Sequence, residues 1–91
     1  MSGVVVLHFW SETCTPCKVI KPSLEDMKEE FEGKVEWRSF NIHTDVQRTA
    51  ARFNVSVVPT IVVLKNGVEI GRHSGTQIGI YYTLIRKALA A

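Results

Sequence analysis

Apolar and polar positions along this chain change period several times, and each change marks an element. Val4 to Phe9 ("VVVLHF") is a short, β-branched, almost uniformly apolar run, the pattern of a strand covered on both faces. From Pro16 the period becomes helical. Ile20, Leu24, Met27 and Phe31 recur at spacings of four, three and four and draw one stripe along a helix that Gly33 can end. Pro16 suits its first turn, Thr15 is its expected N-cap, and Pro22 is expected to kink it. Val35 to Ile42 predicts a second strand with Val35, Trp37 and Phe40 inward. Thr44 and Gln47 form a capping-box pattern before a short helix over 46–53, with Val46, Ala50 and Phe53 on one side.

The second half reads as a hairpin and a helix. Thr60 to Leu64 and Val68 to His73 are strands joined by Asn66-Gly67, the pair that type I′ turns favour. Gln77 to Ala90 predicts a closing helix with Ile80, Leu84, Ala88 and Leu89 inward and a first turn weakened by Gly79. The order is therefore β-α-β-α-β-β-α. The first two strands, joined through a helix, should be parallel and the hairpin antiparallel, which gives a mixed four-stranded sheet in an α/β fold, a three-layer α/β/α sandwich.

Composition narrows the picture. With 91 residues, 45% of them apolar, residues 1–91 can build one domain and one core. A formal charge of +2 with both signs interspersed offers no basic face, so nucleic acid is not expected as a partner. No run approaches the ~20 apolar residues of a membrane span, and the start "MSGVVVLHFW" lacks a positive n-region and a cleavage site, so a cytoplasmic protein without membrane attachment is expected.

The candidate chemistry is concentrated in "SETCTPCKVIKP", which holds both cysteines, Cys14 and Cys17. A bridge between them closes too small a loop to stabilise much, so redox or metal chemistry is the better explanation. The pair is half of a tetrahedral zinc set, and only His8 offers itself as a third ligand, so no metal is expected. Two small buried hydrophobes would need neither this spacing nor an intervening proline.

Taken with their neighbours, these residues resemble the thioredoxin family. "FWSETCTPCKVIKP" is similar to the family's Phe-Trp, Cys-x-Pro-Cys-Lys and following proline, "VVPT" to its cis-proline loop, and "LKNG" with Gly75 to its hairpin and later glycine. The likeness runs from about Val4 to Ala91 and is to a minimal form of the fold, without the strand and helix that family members usually carry before the position of Val4. It implies a thiol-disulfide oxidoreductase that reduces protein disulfides, needs no cofactor, receives electrons from a reductase and acts as a monomer. Cys14, at a helix start where unsatisfied N–H groups favour a thiolate, would attack, and Cys17, one turn inside, would resolve.

The resemblance also assigns the surroundings. Pro59 would be cis and set the Val58 backbone to pair with an extended substrate strand, with Gly75 and Thr76 flanking the groove. Trp10 would pack beneath the active-site loop that Thr15 and Pro16 complete. Four positions depart from the family pattern: Thr15 replaces a common glycine, Thr13 a common tryptophan, His8 a buried aspartate, and Ser39 the lysine that many members pair with that aspartate. His8 is either the general base for Cys17 or a core histidine satisfied by a backbone carbonyl. A non-catalytic interaction module, a glutaredoxin and an isomerase-like redox protein are the alternative readings.

Overall fold

The computed structural model describes residues 2–91. Its elements run β1 (Val4–Trp10), α1 (Thr15–Glu30), β2 (Glu36–Asn41), α2 (Thr49–Arg52), β3 (Thr60–Lys65), β4 (Val68–Ser74) and α3 (Ile78–Ala90). The strands form one sheet in the order β2-β1-β3-β4, with β1 and β2 parallel and both remaining pairs antiparallel. This is the expected mixed four-stranded architecture. Asn66 and Gly67 both take positive φ, as a type I′ turn requires.

Alternation along β1 divides the core. Val4 and Val6 face α1 and α3, where they meet Ile20, Leu24, Met27, Phe31, Tyr81, Ile85 and Ala88. Leu7 and Phe9 face the other way with Val62, against Phe40, Ala50, Phe53 and Val58. All four stripe residues of α1 are buried, so the helix lies as its periodicity predicts and continues as one element through Pro22. The sandwich is lopsided, because α2 spans only four residues.

Three local expectations need correction. The N-cap of α1 is Cys14, in extended conformation, and not Thr15, which is already helical, because a sulfur does the capping. The Thr44/Gln47 capping box does not form. Asp45 Oδ2 accepts the Ala50 N–H at 3.0 Å instead, Arg48 adopts a left-handed conformation, and Val46 is 93% exposed. In α3 the buried residues are Tyr81, Ile85 and Ala88, and Ile80 is exposed. A tyrosine can take that inward place because its hydroxyl finds a partner at the edge of the core, the Gly75 carbonyl.

Candidate active site

Register brings three loops to one end of the sheet. Phe9, next to the last residue of β1, lies beside Thr60, the first of β3, and Thr60 lies beside Ser74, the last of β4. The segments after Trp10, before Thr60 and after Ser74 therefore share that end. They carry the cysteines, Val58-Pro59 and Gly75-Thr76 respectively.

The first loop is turned by Ser11, which is buried and whose Oγ accepts the Thr13 N–H at 3.3 Å. Its carbonyl accepts the Cys14 N–H at 3.2 Å. Cys14 then caps α1: its Sγ accepts the Cys17 N–H at 3.1 Å. The two cysteines form a disulfide with 5.2 Å between Cα atoms, so this is the oxidised protein. Cys14 is half-buried and Cys17 only 6% exposed, while Thr15 and Pro16 lie on the surface of the first turn. An N–H of the first helical turn thus faces the Cys14 sulfur, and such a donor stabilises an anion more than a thiol.

The second and third loops are tied together. The Val58-Pro59 peptide is cis, the conformation the resemblance implies, and Pro59 is buried. The Gly75 N–H donates to the Pro59 carbonyl at 3.0 Å, and the Tyr81 hydroxyl donates to the Gly75 carbonyl at 2.5 Å. Gly75 has φ +138°, and an added Cβ there would sit 2.5 Å from Gln77 Oε1 and 3.3 Å from His73 Nε2. The positive φ is what calls for glycine, since the contacted atoms are side-chain tips that can move aside. Thr76 is exposed at the same end.

His8 lies on the α1 side of the sheet, in a cleft of about 680 Å³ that Trp10, Cys17, Lys18, Lys21 and Ser39 also line. Its Nδ1 is 3.5 Å from Ser39 Oγ, which accepts the Trp37 indole N–H at 3.2 Å. Its Nε2 is buried and has no hydrogen-bond partner among the described residues. Among the described residues no backbone carbonyl pairs with either ring nitrogen. Burial without a counter-charge lowers its pKa from 6.5 to about 4, so the ring is neutral at pH 7.

Sequence reasoning did not find Ser11, Thr60, Ser74 or Tyr81. A tyrosine at a helix position flanked by apolar residues was the one available signal, since a buried phenol needs a partner. Among the described residues no three His, Cys, Asp or Glu side chains converge as a metal site, and no helix is long and apolar enough to cross a membrane.

The profile of the Thioredoxin family matches residues 1–84. Thioredoxin of Haemophilus influenzae is 40% identical over 75 residues, which cover 82% of this chain and 65% of that protein. Thioredoxin of Staphylococcus aureus is 36% identical over 76 residues, covering 84% and 72%. Among solved structures, Fasciola hepatica thioredoxin superposes with a TM-score of 0.87 at 28% identity, over 96% of this chain and 82% of that one.

Proposed function

The chain belongs to the thioredoxin family, and on that premise we propose that residues 1–91 act as one thioredoxin-like unit that reduces protein disulfides. The observation that carries this is the Cys14 sulfur, already placed as acceptor for a helix N-terminal N–H. In the reduced protein the Cys14 thiolate attacks one sulfur of a substrate disulfide, forming a mixed disulfide and releasing the other sulfur as a thiolate that takes a proton from water. Cys17 then loses its proton and attacks Cys14 Sγ. The Cys14–Cys17 bond forms, the mixed disulfide breaks, and the second substrate sulfur leaves as a thiolate that takes a proton from water, so the substrate departs as a dithiol carrying two electrons.

His8 accepts the Cys17 proton at Nε2, since both residues line one cleft and that nitrogen has no other partner among the described residues. A forming thiolate nearby favours the imidazolium that the oxidised protein disfavours. Val58 and cis-Pro59 hold the substrate backbone, Gly75 and Thr76 bound the groove, and Trp10, Thr15 and Pro16 support the loop. The reading extends to a cytoplasmic monomer, re-reduced by a partner reductase, because a dithiol that must be regenerated needs a reducing compartment.

The test is alkylation of the reduced protein at pH 7 followed by mapping. Cys14 should react at least about tenfold faster than an unstructured cysteine of pKa about 8.5, and Cys17 more slowly. Cys17→Ser should accumulate a mixed disulfide through Cys14. Equal reactivity of Cys14 and a free peptide thiol would sink the proposal.

A further inference from the structure

Resting on that redox reading, the geometry points to Tyr81 as the positioning residue of the substrate groove, the group that fixes the Gly75 loop against the cis-proline loop. Tyr81 has no surface exposure, and its ring packs edge-on against His73 with centroids 5.8 Å apart. Its one polar atom reaches out of the core to the Gly75 carbonyl at 2.5 Å. The other side of the same residue, the Gly75 N–H, is held by the Pro59 carbonyl at 3.0 Å.

Gly75 is thus clamped at both of its backbone groups, once by the opposing loop and once by a side chain rooted in α3. A second strand of bonds runs parallel to the first. Thr60 Oγ1 donates to the Val57 carbonyl at 2.7 Å and is 2.7 Å from Ser74 Oγ, so the serine hydroxyl donates to the threonine. Between them these bonds fix the residues on either side of Val58, whose backbone is the surface a substrate strand would pair with.

A phenylalanine would bury the same ring, so packing alone does not explain the hydroxyl. Without it the Gly75 carbonyl loses its partner and the loop has one backbone tie in place of two. A substrate held only by its reacting sulfurs would not sense this. One that adds a strand along Val58 would bind a groove that must first be ordered, and the cost of ordering appears in affinity and not in the chemical step.

Tyr81→Phe tests the point by single-turnover kinetics with the reduced protein and two disulfides, a folded disulfide-linked protein such as insulin and the small aromatic dithiobis(nitrobenzoate). The half-saturating concentration of the protein substrate should rise about three- to tenfold, the worth of one hydrogen bond, with its limiting rate and the small disulfide's rate unchanged. An unchanged half-saturating concentration, or equal slowing with both disulfides, would overturn the assignment. The redox reading fails in a different way, visible in the parent: a reduced protein that transfers electrons to neither disulfide overturns both.

Discussion

His8 on β1 and Thr60 on β3 are polar side chains at the same end of adjacent strands, on opposite faces of the sheet, and they are treated in opposite ways. Thr60 is 1% exposed and fully used, giving its proton to the Val57 carbonyl and receiving one from Ser74. His8 has a buried nitrogen with no partner among the described residues. Folding tolerates an orphaned buried acceptor only at a cost, and such groups are rare enough that each needs an explanation. On the proposed function, the contrast separates a group that braces the site from one held in reserve for chemistry. Each variant below asks whether that separation is real.

The largest effect expected is on the pH dependence of stability. In the oxidised protein His8 titrates near 4 when folded, against 6.5 when unfolded. Between those values the unfolded chain binds more protons, so stability is fully present above pH 6.5 and is lost as pH falls toward 4. The difference amounts to roughly 3 kcal/mol. His8→Leu should remove this slope while leaving stability at pH 7 unchanged or higher, since it deletes an unsatisfied polar atom. Denaturant unfolding of parent and variant at pH 7, 5.5 and 4 checks it; the two curves running parallel would refute the burial of His8 as a neutral base. In the reduced protein the same variant should slow resolution of a Cys14 mixed disulfide by about 100-fold, the usual worth of a positioned general base. A parental resolution rate would end its catalytic role.

Thr60→Val should behave in the reverse manner. It keeps the shape and strips the bonds to Val57 and Ser74, costing about 1–3 kcal/mol at every pH from 4 to 7. A stability loss that appears only at low pH, or none, would mean that Thr60 is no brace.

The sequence made some of this legible for clear physical reasons. The α1 stripe, the Asn66-Gly67 turn and the uniform apolarity of β1 are local signals, and each states its own answer. The cysteine pair and Pro59 were legible through the family pattern. The α3 face was not, because choosing Ile80 over Tyr81 as inward depends on whether a hydroxyl can find the Gly75 carbonyl, six residues away in sequence and brought near only by the fold. The α2 start failed in the same way, since Asp45 and not Thr44 supplies the accepting oxygen once Arg48 turns left-handed. For His8 the residue was legible but its unmet nitrogen was not, since that is a property of the cleft and not of any window of residues.

The smallest effect expected is at Ser39, and it bears on how His8 is prepared. Ser39 Oγ lies between the Trp37 indole, 3.2 Å away, and His8 Nδ1, 3.5 Å away. Buried N–H groups without a partner are rarer than buried acceptors without one. The base role needs the neutral ring to carry its proton on Nδ1, directed at Ser39, with a lone pair on Nε2 in the cleft. Ser39 is exposed and the contact is long, so Ser39→Ala should cost under about 1 kcal/mol of stability and slow resolution only a few-fold. Nitrogen-15 shifts of the His8 ring read the tautomer directly: a protonated Nδ1 in the parent and a mixture in the variant are expected. A parent protonated at Nε2 would make His8 a hydrogen-bond donor toward sulfur. It could then take no proton from Cys17, and the contrast with Thr60 would become one between two donors that differ only in whether the acceptor has yet arrived.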